Sequence, residues 1–284
     1  MKVVLFCGGL GMRLREFSEQ IPKPMVNIGY RPILWYIMKY YAFYGHKDFI
    51  LCLGHKADII KNYFVNYDET ISNDFIYTNG GKGIELINSD ISDWRITFVD
   101  TGINTNIGSR LMKVREHLAG EEMFLANYSD GLTDMHLPTM LNWFKQQNDK
   151  IAAFMSYKSN QSFHLVKSKE TGEVESISLI ADLGLFINAG YFIMRQNIFN
   201  YINLGEDLVE QPFQRLIGAK KIVSWNHEGF WASMDTFKDK QILDEEYAKG
   251  IIPWQVWRKN GQIDNLINKK DVFLMVHNLD RQNI

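Results

Sequence analysis

An α/β fold built on a mixed, mostly parallel central sheet is what this sequence predicts, on two observations. Through the first half of the chain, short β-branched and apolar runs alternate with stretches of helical periodicity, the pattern of parallel strands joined by crossover helices and covered on both faces. From residue 151 onward, polar turns divide the strand-like runs, which suits antiparallel neighbours.

Residues 1–7 are a mostly apolar, β-branched run followed by glycine, so they read as a buried strand feeding a loop. Residues 33–44 carry apolar side chains at helical spacing, and Asp48–Leu53 is the next strand, which completes a βαβ unit. A helix over Ala57–Val65, a strand over 96–100, a helix over 109–118 and a strand over Met123–Asn127 continue the alternation. Ligands of such sheets gather at the carboxyl ends of the strands. Strands are predicted next at 151–157, 174–180 and 186–194, forming the second half of a mixed sheet. Residues 236–249 read as a closing helix, with Thr236 as its N-cap and Asp239 placed to accept from free backbone N–H groups.

A chain of 284 residues, 46% of them hydrophobic, can bury a large core as one domain. The 31 Lys and Arg against 33 Asp and Glu leave no basic field for a nucleic acid or an anionic membrane, so any anion must be held locally. The amino-terminal run is too short for a secretion signal, and no apolar stretch reaches membrane-spanning length. Cys7 and Cys52 sit in separate apolar runs and suit neither a zinc site nor a disulfide framework, so a cytoplasmic protein is expected.

After the first strand comes Gly8-Gly9-Leu10-Gly11-Met12-Arg13-Leu14, and then Pro22-Lys23-Pro24. Glycines let backbone N–H groups approach a triphosphate, while Arg13 and Lys23 supply positive charge. The loop lacks the Gly-Lys-Ser/Thr ending of a P-loop. It also lacks the third glycine of a dinucleotide fingerprint, and Leu53-Gly54-His55 offers no acidic residue for a ribose. Lys23, flanked by prolines, is a placed cation. Asp130 follows a strand at its carboxyl end and Asp235 precedes a helix, and such a carboxylate pair suits Mg²⁺ shared with a nucleotide. Each alone also reads as an ordinary turn or cap residue.

The G-G-x-G-x-R-L spacing followed by K-P resembles the signature of the sugar nucleotidyltransferases. Residues 32–38, Val99-Asp100-Thr101-Gly102, Gly229-Phe230-Trp231-Ala232-Ser233-Met234-Asp235-Thr236 and Pro253-Trp254-Gln255-Val256-Trp257 are similar to its glucose-1-phosphate cytidylyltransferase branch. The resemblance implies a Rossmann-like three-layer αβα nucleotidyltransferase fold over residues 1–250, with 251–284 an extension serving as interface or tail. It implies a Mg²⁺-dependent, in-line transfer of CMP from CTP to a sugar 1-phosphate with release of pyrophosphate. Arg13, Lys23, Asp130 and Asp235 would be catalytic, the two aspartates holding the metal. Gly8, Gly9, Gly11, Met12, Arg13, Lys23, Gly108, Arg110 and Asp130 would contact the nucleotide. Arg110 also reads as a solvated surface residue. Asn188, His164 and Trp231 would face the acceptor. A homo-oligomer is implied, with no nucleic acid or membrane partner. The base rests on the branch alone: CTP, with UTP and dTTP not separated by these residues.

The chain departs from the family on the acceptor side. The family's Glu-Lys-Pro, whose lysine grips the sugar phosphate, is replaced here by Ser176-Ile177-Ser178-Leu179-Ile180-Ala181-Asp182, with Ile180 nearest in register and Asn188-Ala189-Gly190 in the expected place. Ser162-Phe163-His164-Leu165 is a second departure, and Ser129 stands where the branch has glycine. Three explanations compete: another cation, such as Lys158, Lys167 or His164, holds the phosphate; the acceptor is a non-hexose or non-sugar phosphorylated metabolite; or the chain is a non-catalytic nucleotide-binding subunit. The remaining histidines, among them His46 and His227, show no metal-binding spacing and read as ordinary core or surface residues. Most of the seven Trp, 13 Tyr and 18 Phe read as core or interface.

Overall fold

The computed structural model describes residues 1–9, 21–159 and 163–258. Seven strands form the main sheet: β1 (Lys2–Phe6), β2 (Asp48–Leu53), β3 (Arg95–Asp100), β4 (Met123–Asn127), β5 (Ala152–Lys158), β6 (Phe186–Arg195) and β7 (Ile222–His227). Their order is β7-β5-β6-β4-β1-β2-β3. β1, β2, β3 and β4 run parallel, as do β5 and β7, while β6 is antiparallel to both of its neighbours.

The alternation of β1 divides the core. Val3, Leu5 and Cys7 point into one hydrophobic layer, and Val4 and Phe6 into the other. With both faces covered, the strand has no polar side and reads as one apolar run. Helix α1 (Ile33–Phe43) is apolar nearly all round because it is buried nearly all round: Trp35 packs edge-on to Trp257, and Tyr40 edge-on to Tyr191. It ends in a Schellman motif, with Gly45 at φ +84 and the N–H of His46 donating to the carbonyl of Tyr41. Helices α2 (Ala57–Val65), α3 (Ile107–Lys113), α4 (Leu137–Lys145), α5 (Pro212–Gly218) and α6 (Phe237–Ala248) complete the layers. Among the described residues, no helix is long and apolar enough to cross a membrane.

The second half differs in part from expectation. Residues 174–180 were expected in the mixed sheet, but Val174–Leu179 pairs instead with His164–Ser168 in a separate ribbon. Almost every side chain of that ribbon is exposed, so its apolar residues have no layer to join. β7, α4 and α5 were not foreseen. The helix expected over 109–118 is α3 followed by a 3₁₀ turn at Arg115–Leu118. The extension after residue 250 packs, as far as residue 258, into the core: Trp254 is 1% exposed and its ring lies tilted against that of Phe230, with centroids 5.5 Å apart.

Candidate active site

The strand connections reverse at β1, with β2 on one side and β4 on the other, and a crevice opens at the carboxyl ends of these strands. Here lies a cavity of about 310 Å³ lined by Phe6, Cys7, Gly9, Lys23, Pro24, Ile107, Tyr128, Ser129, Asp130 and Asp235.

Lys23 opens a single 3₁₀ turn, Lys23–Met25, held between an extended Pro22 and Pro24. Two prolines fix the backbone, so the direction of the lysine is set before its side chain finds a partner. Its Nζ donates to Asp130 Oδ2 at 2.7 Å and to Asp235 Oδ1 at 2.8 Å. Burial lowers the affinity of the amine for its proton, but the two carboxylates outweigh it and raise the Lys23 pKa. The Asp130 carboxyl is pushed above its ordinary range by desolvation, against the pull of Lys23.

Asp130 is presented by a tight turn off β4. Ser129 sits at φ +65, the left-handed region that favours glycine, and this explains why a glycine is expected there. Adopting it costs a non-glycine residue about 1 kcal/mol. Local bonds offset the strain: the Ser129 N–H donates to Asn127 Oδ1 at 2.7 Å, and the buried Cys7 thiol donates to Ser129 Oγ at 3.4 Å. Burial pushes that thiol up to about 12, so Cys7 stays neutral beneath the cavity. Asp235 comes from the short strand Trp231–Ser233, and its N–H and that of Thr236 both donate to Asp239 Oδ2, inside the capping box that starts α6.

Two hard carboxylate oxygens thus converge on one cation, the Lys23 ammonium. Among the described residues, no cluster of three or more His, Cys, Asp or Glu side chains could hold a metal, so a cation here would draw its other oxygens from phosphate and water. That donor set fits Mg²⁺.

The remaining expected residues are placed as follows. A side chain on Gly8 would collide with the Arg110 guanidinium, its Cβ falling 2.0 Å from Nη1, whereas Gly9 faces open space. Gly11, Met12 and Arg13 lie outside the described residues. Arg110 is not a surface residue; it is 2% exposed. Its Nη1 donates to Leu53 O and Thr101 Oγ1, and its Nη2 to Gly8 O and Ile103 O, so the guanidinium lies against Gly8 and ties it to β2. Gly108 allows α3 to approach the Glu206 carbonyl, which a Cβ would meet at 2.5 Å.

On the acceptor side, Asn188 Oδ1 accepts from the Gly190 N–H, and its Nδ2 donates to the Tyr128 hydroxyl at 3.4 Å. Trp231 lies against Gly131 and donates its Nε1–H to Ala189 O at 2.9 Å. His164 is exposed at the start of the separate ribbon, in register with Leu179, and Ile180 is half-buried in the 3₁₀ turn that follows. Lys167 pairs with Glu175 across that ribbon. Sequence reasoning missed Tyr128, which lines the cavity and stands two residues before Asp130 in sequence. It also set aside His227, whose Nε2 lies 3.0 Å from Asp134 Oδ1.

A sequence model of the nucleotidyl transferase family matches residues 2–270. The glucose-1-phosphate cytidylyltransferases of Salmonella typhi and of Salmonella typhimurium are each 35% identical over 259 residues, covering 90% of this chain and 100% of theirs. Among solved structures, a UDP-glucose pyrophosphorylase from Acinetobacter baumannii superposes with a TM-score of 0.64 at 16% identity, covering 96% of this chain and 99% of its own. That likeness concerns the fold, which is the Rossmann-like three-layer arrangement.

Proposed function

The chain belongs to the nucleotidyl transferase family, and from that premise we propose that it transfers CMP from CTP to the phosphate of glucose 1-phosphate, releasing pyrophosphate. The observation that carries this reading is the meeting of Lys23, Asp130 and Asp235 at the mouth of β1 and β4. Identity to the two Salmonella cytidylyltransferases over their whole length supports the choice of CTP and of a hexose 1-phosphate.

An acceptor phosphate oxygen attacks the α-phosphorus of CTP in line with the departing pyrophosphate, and no covalent enzyme intermediate is required. Asp130 and Asp235 would hold Mg²⁺, which supplies charge neutralisation to the phosphates when bound. Lys23, fixed by its prolines, neutralises charge that grows as the bond to pyrophosphate breaks. Gly9 leaves room for the phosphates, while Gly8 admits the Arg110 guanidinium, which holds the Gly8 backbone in place. Tyr128 and Ile107 line the crevice beside these groups. Arg13 belongs to the same proposal as a second cation on the leaving group.

Ile180 favours one adjustment of this reading. An aliphatic side chain in the position of the family's lysine cannot bind phosphate, so a different group must hold it, or the acceptor is a different phosphorylated metabolite. Assembly as a homo-oligomer belongs to the proposal too, supported by exposed Tyr77, Ile84 and Ile87 around the hairpin Phe75–Thr78 and Gly83–Leu86.

Incubating the protein with CTP, Mg²⁺ and glucose 1-phosphate, and identifying the product by mass spectrometry, tests the proposal. A CDP-hexose formed together with pyrophosphate is expected. Pyrophosphate appearing only with another acceptor would move the substrate class, and no product with any acceptor would overturn the reading.

A further inference from the structure

Asp130 and Asp235 come from separate loops; besides the shared Lys23 ammonium, a three-residue ladder joins the backbones that carry them. Trp231 pairs with Thr133, Ala232 with Leu132 and Ser233 with Gly131. At the end nearest the carboxylates, the Met234 N–H donates to Asp130 O at 2.9 Å. A ladder this short gains little from its own hydrogen bonds, and a slip by one residue would turn every side chain to the opposite face. Something beyond the ladder must hold its register.

The other end supplies it. Asp134 Oδ1 accepts from the Phe230 N–H at 2.8 Å and lies 3.0 Å from His227 Nε2, which is also 3.2 Å from Phe230 O. Both neighbours of that nitrogen are acceptors, so Nε2 carries the proton. Thr133 Oγ1 donates to the same Phe230 carbonyl at 2.8 Å, and the Asp134 N–H donates to it at 3.2 Å. Gly229 is enclosed by the arrangement: a Cβ there would fall 2.4 Å from Asp134 Oδ1 and 2.8 Å from the His227 ring. None of these residues lines the cavity.

We propose that Asp134 and His227, closing on Phe230 across Gly229, form a register clamp that fixes the separation of Asp130 and Asp235. They are positioning residues, acting through the ladder and touching neither nucleotide nor acceptor. The role of the two aspartates rests on the function proposed above, but the clamp itself can be read without turnover.

Asp134→Ala removes the acceptor, Asp134→Asn keeps an oxygen for the Phe230 N–H, and His227→Ala is the milder lesion. Two readouts are taken: hydrogen exchange at the Phe230 and Met234 amides, and kcat, KM and the Mg²⁺ concentration for half-activation. Asp134→Ala should speed exchange at both amides, lower kcat by roughly 10- to 100-fold and raise the Mg²⁺ requirement while leaving the acceptor KM in place. Asp134→Asn should recover most of each loss. A merely structural residue would lower the melting temperature without moving the Mg²⁺ requirement of the folded fraction. Wild-type Met234 exchange in a folded Asp134→Ala, or faster exchange with unchanged kcat and Mg²⁺ requirement, overturns the clamp. Should Asp134→Ala not fold, His227→Ala decides by the same readouts. If the unaltered protein shows no turnover, the function fails, and Met234 exchange alone judges the clamp.

Discussion

The two sides of the crevice are built differently. On the nucleotide side, the groups stand at the ends of buried strands: Cys7 and Ser129 are fully buried, Lys23 is stiffened by prolines, and Arg110 spends its guanidinium on four protein oxygens. On the acceptor side, the ribbon of His164–Ser168 and Val174–Leu179 lies outside the main sheet with its side chains mostly in solvent. Chemistry that must be the same for every acceptor is tied to the core. On the proposed function, selection of the acceptor falls to this exposed ribbon, where a substitution costs little stability, and the departures from the family pattern fall mainly there.

Four experiments break or sharpen that contrast. The largest effect is expected from Asp130→Asn or Asp235→Asn, either of which should cut Mg²⁺-dependent turnover by about 10²- to 10³-fold with the fold unchanged by circular dichroism. Wild-type rates in both would remove the carboxylates from the chemistry. Next, Arg110→Met should destabilise the protein by about 2–4 kcal/mol in urea and raise the KM for CTP, because four oxygens lose a charged donor and Gly8 loses its tie. The matching change on the ribbon, Lys167→Met, breaks only an exposed pair and should cost about 0.5 kcal/mol or less. Equal losses would erase the distinction between the two sides.

Ile180→Lys comes third. It should raise kcat/KM for glucose 1-phosphate by about tenfold, the scale of one charge-assisted phosphate contact, with a stability change within about 0.5 kcal/mol. No gain would mean that the acceptor pocket departs from its relatives at more than this position. The smallest effect concerns His46, at the end of α1. Burial, with the amino terminus and Lys145 adding to it, lowers its pKa from 6.5 to about 4. The unfolded chain then takes up a proton that the folded chain refuses, so stability is complete above pH 6.5 and falls as the pH drops towards 4. Partial exposure discounts the effect to about 1–2 kcal/mol. His46→Gln should flatten the dependence of urea unfolding on pH over that window, while Mg²⁺-dependent turnover at pH 7 is unmoved.

Much of the nucleotide side was legible in the sequence, for a physical reason. β2, β4 and α2 were read to the residue because a doubly covered sheet demands unbroken apolar strands, and turn residues punctuate them. β7 was missed because its alternation is only half-buried, and α4 and α5 because each carries a proline in its first turn, which reads equally well as a turn. Motif resemblance named Lys23, Asp130 and Asp235, but residues separated by 107 and 212 positions meet only through the fold. The direction of Arg110 was not legible, since a helix start says nothing about which turn lies beneath it. His227 escaped because histidines were weighed for metal spacing, and its partner Asp134 is 93 residues away.

The most direct test of the central claim is pyrophosphate release at saturating Mg²⁺, run on the unaltered protein and Asp235→Asn side by side. Each common nucleoside triphosphate is paired with hexose 1-phosphates, other sugar phosphates and non-sugar phosphates. Rapid release with CTP and glucose 1-phosphate, lost in Asp235→Asn, is the predicted result. Release that persists in Asp235→Asn, or none from the unaltered protein with any pair, would contradict it.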